Sequence, residues 1–235
     1  MASTKWGSAL KKAAAESRAQ ELTSGINLAG LDTATPELCL KLIRQPSVQN
    51  FTALKNFLSR CQQTWMIQFL EIEGLNVILE VLEILCDRGI SSVIDAFIQL
   101  ECVNCVKAIM NSSAGINYII NHRESSRMLV KAFDSGSVMV KKQVVELLSA
   151  VSVYSDEGYD MVLDSLQTFK EEYQEKSRFS AIVDELREAE VISYQVAVLA
   201  LINCLIIAAA DFDQRIMIRN EFISLGLLDV LTKLR

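Results

Sequence analysis

Glu73-Gly74-Leu75-Asn76-Val77-Ile78 returns, changed in detail, as Ala114-Gly115-Ile116-Asn117-Tyr118-Ile119 and as Leu225-Gly226-Leu227-Leu228-Asp229-Val230. In each case a glycine is followed at once by aliphatic residues at helical spacing. Gly74 and Gly115 lie 41 positions apart. A second phrase recurs in the same frame: Val103-Asn104-Cys105-Val106-Lys107-Ala108-Ile109, Val145-Glu146-Leu147-Leu148-Ser149-Ala150-Val151 and Leu199-Ala200-Leu201-Ile202-Asn203-Cys204-Leu205. Ala108 and Ala150 are 42 apart; Ala150 and Cys204 are 54 apart, one period plus a 12-residue insertion around the charged stretch Lys170 to Arg178. Between these phrases the apolar residues keep helical spacing, as in Leu75, Ile78, Leu79, Leu82, Leu85 and in Tyr159, Val162, Leu163, Leu166, Phe169, Tyr173. No run of four or more residues alternates as a half-buried strand would.

A period near 42 with several helices per unit is the pattern of armadillo and HEAT-type solenoids, in which each unit buries its face only against its neighbours. The expected fold is therefore all-α, an armadillo/HEAT-like right-handed α-solenoid of four to five repeats, built from some 12 short to medium helices. Thr35-Pro36-Glu37 supplies an N-cap, a proline at the first helical position and an acid in the first turn, so the compact domain is expected over 35–235. Pro46 ends that first helix. Residues 1–34, rich in Ala, Ser, Lys and Glu with Trp6, Ala9 and Leu10 as the early apolar cluster, read as a short helical lead-in, partly flexible. Loops are expected at Cys86-Asp87-Arg88-Gly89 and Asp134-Ser135-Gly136-Ser137.

Composition agrees with helices and narrows the function. Nine glycines and two prolines in 235 residues leave little material for hairpins or phosphate-cradling loops. The net charge of −6 gives no general attraction for nucleic acid. Of the six cysteines, four sit among apolar residues at helical spacing, as free thiols in a reducing compartment do, and nothing at the N-terminus reads as a signal peptide. A cytosolic protein is expected. Val191 to Ala210 carries no charge over 20 residues, but Ser193, Gln195 and Asn203 interrupt it and acids close both ends, so it reads as a central buried helix and not a membrane span.

Stacked repeats set equivalent positions of successive third helices side by side. That register places Lys107, Ser149 and Asn203 in one row, and Asn111, Val153 and Ile207 in the next. Asn203, inside an otherwise apolar run, either finds an internal partner or faces a groove. A surface mixing Lys, Asn, Ala, Val and Ile suits an amphipathic helix, with aliphatic anchors in the notch at Ala150. Acidic groups at Glu71, Glu73, Glu80, Glu83 and at Asp184, Glu185, Glu188, Glu190 read first as solvated helix faces and second as steering charge for a basic partner.

Other chemistry is poorly provided for. Cys102-Val103-Asn104-Cys105 lacks a second cysteine pair and a nearby histidine, so its spacing reads as core packing, with no metal expected. His122, the one histidine, cannot build a triad or a histidine metal site with others of its kind. Glu171-Glu172 lie on a charged helix without an evident cleft, and Trp6 and Trp65 read as packing anchors. No enzyme activity and no cofactor are expected.

Cys105-Val106-Lys107-Ala108-Ile109-Met110-Asn111 with Gly115-Ile116, the Leu147-Leu148-Ser149-Ala150 helix, and Arg219-Asn220-Glu221-Phe222-Ile223-Ser224-Leu225-Gly226-Leu227 resemble the diaphanous inhibitory domain of formins over nearly the whole chain. Pro36-Glu37-Leu38-Cys39, Pro46-Ser47-Val48, Trp65-Met66 and Val138-Met139-Val140-Lys141-Lys142-Gln143-Val144 narrow the resemblance to the inverted formins. The resemblance implies an armadillo-repeat domain that binds an amphipathic autoregulatory helix from the C-terminal part of the same polypeptide and so restrains actin assembly or severing. It places Lys107, Asn111, Leu147, Ala150, Val153 and Asn203 against that helix. It also implies a cytoplasmic, cytoskeleton-associated setting, with a Rho-family GTPase or actin-associated regulators as further partners; organelle-surface association would come through parts outside this chain. Two departures stand out. Rho-regulated members carry an asparagine cluster before the motif Trp, where this chain reads Ser59-Arg60-Cys61-Gln62-Gln63-Thr64, which argues against GTPase relief; and Ala200 replaces a longer polar residue of the groove.

Overall fold

The Thr35 side chain accepts the Leu38 N–H at 3.4 Å, and Pro36 occupies the first turn, so α1 (Pro36–Ile43) starts where the sequence predicts. The structure, a computed structural model, describes residues 34–89 and 92–234; the expected lead-in around Trp6, Ala9 and Leu10 lies outside the described residues. Asn50 locks the turn after α1 by donating to the Leu42 and Gln45 carbonyls at 3.1 and 3.0 Å. Twelve further helices follow: α2 (Val48–Leu58), α3 (Gln63–Glu71), α4 (Gly74–Asp87), α5 (Val93–Met110), α6 (Ser113–Asn121), α7 (Arg123–Lys131), α8 (Val138–Ser152), α9 (Asp156–Tyr173), α10 (Ser180–Glu188), α11 (Ile192–Ile207), α12 (Phe212–Ser224) and α13 (Leu227–Leu234). No strand occurs among the described residues. The loop expected at Cys86 begins only at Arg88, because α4 runs through Asp87; the second begins as a 3-10 turn at Ala132–Asp134 and ends at Ser137, which caps α8 through the Val140 N–H.

The chain divides into two compact units between Gly115 and Ile116. In the first, α5 packs on α2 and α4 and buries Ile98, Cys102, Val103, Cys105, Val106 and Ile109. Gln99 is fully buried and donates to the Leu85 carbonyl at 2.8 Å, and the Cys105 thiol points at the Phe51 carbonyl at 3.5 Å, so polar groups pin α5 to both neighbours. Lys55 Nζ lies 2.8 Å from Glu101 Oε2 along the α2–α5 seam. Trp65 stacks on Phe69, meets Phe57 edge-on and donates to the Ala34 carbonyl at 2.8 Å, the packing anchor its sequence context predicts.

In the second unit α11 packs on α8, and α9 packs on α7 and α8. The Tyr159 hydroxyl donates to the Leu205 carbonyl at 2.9 Å and the buried Ser126 and Ser165 hydroxyls meet at 2.6 Å. The 12-residue insertion of the sequence has a definite use: Arg178, in the connection after α9, grips Glu221 of α12 through two hydrogen bonds of 3.1 and 2.6 Å, while Phe179 stacks on Phe222. The apolar stretch Val191 to Ala210 forms α11, and among the described residues no helix is long and apolar enough to cross a membrane.

The recurring glycines serve two physical ends. A Cβ at Gly74 would lie 2.4 Å from the Phe69 ring, and one at Gly115 would lie 2.0 Å from the Ile109 carbonyl oxygen, so these two permit close approach of one helix to the preceding one. Gly226 instead has φ +84°, the left-handed turn between α12 and α13. Since the Ile109 carbonyl is main chain and cannot rotate away, Gly115→Ala is expected to destabilise the chain by roughly 2 kcal/mol, read as a lower thermal midpoint with an unchanged helical circular dichroism spectrum below the transition.

Candidate binding face

Helices α8 and α11 are packed together, and each turns a second stripe away from the core. On α8 and its C-terminal cap the stripe runs through Met139, Gln143, Glu146, Ala150 and Val153, at steps of three and four residues; Ala150 is exposed and Val153 is 55% exposed. On α11 it runs through Ile192, Val196, Ala200, Asn203 and Ile207, with Ile192 75%, Val196 60% and Ile207 67% exposed. Opposite these, α11 buries Tyr194, Val198, Leu201, Ile202 and Leu205. A helix apolar on every side, with its inner half in the core and its outer half uncovered, presents the kind of surface that marks a protein-binding face.

Five of the six predicted site residues stand on exposed helix surface. Lys107 and Asn111, at the end of α5 in the first unit, are exposed, as are Ala150, Val153 and Asn203 in the second. Asn203 therefore faces outward, which decides between the two readings its sequence left open. Leu147 is different: at 4% exposure it lies on the inner side of α8, where it supports the stripe without lining it. Met139, Ile192 and Val196 were not singled out from the sequence, although continuing the stripes backward from Ala150 and Asn203 in steps of three and four reaches them. Past Asn203 the face opens into a cavity of about 420 Å³ walled by Leu199, Ile206, Ile223 and Leu228, with Arg219 as the cation among its lining residues.

The acidic group on α10 departs from the expected solvated face at one position. Asp184 pairs with Arg187 along the helix surface, but Glu185 turns inward and accepts from Lys141 and Tyr194. His122 is exposed and stacks on Tyr118. Cys102 and Cys105 are fully enclosed on α5, where burial pushes both thiols well above their ordinary range.

Two family models match in tandem: Diaphanous GTPase-binding Domain over residues 2–153 and Diaphanous FH3 Domain over residues 159–235. The chain belongs to the Diaphanous GTPase-binding domain family. Inverted formin-2 of Xenopus tropicalis is 43% identical over 234 residues, covering all of this chain and 16% of that protein; inverted formin-2 of Xenopus laevis is 46% identical over 205 residues, covering 87% and 19%. Protein diaphanous homolog 2 of Mus musculus is 35% identical over 175 residues, covering 73% and 16%. The chain thus spans less than a fifth of the length of these relatives, and the resemblance to the inverted formins holds. Among solved structures, E. histolytica Formin1 bound to EhRho1-GTPγS superposes with a TM-score of 0.70 at 14% identity, covering 98% of this chain and 78% of that one. A designed armadillo repeat protein in complex with the peptide (KR)4 gives 0.50 at 15% identity, covering 88% and 81%. Identities this low show the fold alone, and the fold they show is the all-α armadillo type expected from the repeats.

Burial sorts the thiols. Cys61 and Cys204 are part-exposed, whereas Cys39, Cys86, Cys102 and Cys105 are buried, and Cys39 is pushed up to about 11 by desolvation and by Cys61. Brief alkylation with iodoacetamide at pH 8 is expected to modify Cys61 and Cys204 first, with Cys102 and Cys105 modified only after denaturation, as mapped by peptide mass spectrometry.

Proposed function

We propose that this chain is the regulatory, non-enzymatic module of an actin-assembling formin, and that the outer stripes of α8 and α11 bind an amphipathic autoregulatory helix from the C-terminal part of the same polypeptide. The observation that carries the reading is the paired stripe itself. Val153, Val196 and Ile207 supply exposed apolar area, the short side chains of the exposed Ala150 and Ala200 leave room for a partner between the longer ones, and exposed Asn203 supplies a hydrogen-bonding group. An amphipathic helix laid with its aliphatic side on such a surface buries both faces. Leu147 backs this surface from the core side. Membership of the formin regulatory family supports the reading; a cytoplasmic, cytoskeleton-associated setting follows from it.

The decisive variant is Ala150→Asp. Ala150 is exposed in the free domain, so a carboxylate there is solvated and the fold is expected to keep its thermal midpoint within about 2 °C. In the complex the same carboxylate would be enclosed against aliphatic side chains without a partner, and affinity is expected to fall roughly a hundredfold or more. Fluorescence anisotropy with the labelled C-terminal amphipathic segment of the same polypeptide reads this directly. Saturable binding that survives Ala150→Asp unchanged would sink the proposal.

A second reading, binding of a Rho-family GTPase, is favoured by the description of the family model and by the partner named for E. histolytica Formin1. Against it stands the polar stretch Ser59 to Thr64 before Trp65. Titration with a Rho-family protein loaded with GTPγS or GDP separates the cases: binding to the GTPγS form alone, retained in Ala150→Asp, supports the second reading.

A further inference from the structure

Behind the binding face, one carboxylate joins three helices. Glu185 projects from α10; Lys141 of α8 donates to its Oε1 at 2.5 Å, and the Tyr194 hydroxyl of α11 donates to its Oε2 at 2.7 Å. Lys141 and Glu185 are largely buried, and Tyr194 is almost completely so. Burial and the adjoining carboxylate push the Tyr194 hydroxyl well above the ordinary phenol range, so it stays protonated and keeps donating. Each oxygen of Glu185 is thus committed to a different wall of the face.

The positions of these contacts along the helices matter. Lys141 stands nine residues before Ala150, and Tyr194 stands nine residues before Asn203. Nine residues of helix measure about 13.5 Å; with the two helices running the same way, as the repeat register sets them, the two contacts lie at one level and the two site residues within about a residue of one another at the next. Apolar packing between α8 and α11 is non-directional and tolerates sliding, since Val, Leu and Ile recur along both. A charge-assisted hydrogen bond does not: displacing one helix by a turn, about 5.4 Å, breaks one arm and leaves an enclosed carboxylate or ammonium short of a partner.

We propose that Glu185 is a positioning residue that fixes the axial register of α8 against α11 and thereby sets Ala150 beside Asn203. Its bearing on affinity rests on the helix-binding reading above, but the register itself does not. Spin labels at Met139→Cys and Ile207→Cys, both on exposed stripe positions, in a background with Cys61→Ser and Cys204→Ser, read the register without any ligand by pulsed electron spin resonance. The parent is expected to give one narrow distance distribution. Glu185→Ala is expected to broaden it or shift it by about 1.5 to 5.4 Å and to weaken the autoregulatory peptide about tenfold.

The paired exchange Lys141→Glu with Glu185→Lys restores opposite charges, and the ammonium introduced at position 185 donates to the Tyr194 oxygen. It is expected to recover both the narrow distribution and affinity within about threefold of the parent, a rescue that lost bulk or lost stability would not give. An unshifted distribution in Glu185→Ala, with only the thermal midpoint lowered, would overturn the proposal. If Glu185→Ala does not fold, Tyr194→Phe removes one arm alone and is expected to broaden the distribution with the helical spectrum retained. A shifted distribution in a series whose parent never binds the peptide keeps the register role and sinks the helix-binding reading instead.

Discussion

The contact between α8 and α11 is the constraint on which the second unit depends. Both helices must bury one side to repay the entropy of ordering them, yet α11 carries aliphatic residues all around its circumference. Tyr194, Val198, Leu201 and Leu205 go inward, and Ile192, Val196 and Ile207 are left in water. Leaving such residues exposed forgoes about 1.5–3 kcal/mol each relative to burial. A fold that had only to be stable would place polar residues there, as the outer faces of α9 and α10 do. The stability of the unit by itself therefore does not account for the apolar outer stripe of α11.

Helix content, the entry into α1 and the repeat register were legible in the sequence because they depend on local chemistry and on repetition. Thr35 and Pro36 act within one turn, and a 42-residue period with its 12-residue insertion puts Val153 and Ile207 in equivalent places whatever their partners. The outward placement of Ala150, Val153 and Asn203 follows from that period. What periodicity does not give is the exact boundary between the inner and outer halves of a helix that is apolar on both. Leu147 sits three residues before Ala150, close enough to share a stripe by spacing alone, and the neighbouring helix covers it. Met139 and Val196 lay on the same stripes but outside the recurring phrases, so alignment of those phrases passed over them.

Long-range polar contacts were the other part that escaped. Glu185 reads as one acid in a run of four, and nothing in the run distinguishes it from Asp184 or Glu188. Its partners are 44 residues upstream and nine downstream, and that tertiary placement is what turns this side chain inward while Glu188 stays exposed. Arg178 and Glu221 are the same case: the insertion was visible as a break in the period, but its gripping of α12, 43 residues on, was not. The recurring glycines were visible as a pattern whose cause was hidden, since Gly74 and Gly115 answer to a ring and a carbonyl from the preceding helix, and Gly226 to its own backbone angle.

These two kinds of contact divide the work between them. Apolar burial holds α8 and α11 together over their whole length but is nearly indifferent to small slides, because each aliphatic ridge resembles the next. Polar contacts add little net stability and strongly penalise misplacement, since a half-satisfied enclosed charge is worse than none. For a core, the first kind is enough. For holding Ala150 and Asn203 at a set spacing the second is needed, and the structure supplies it through Glu185, about 13.5 Å along the two helices from those residues. A carboxylate shared by an ammonium and a phenol suits that role: burial and the carboxylate hold the Tyr194 hydroxyl well above the ordinary phenol range, so it keeps its proton and goes on donating.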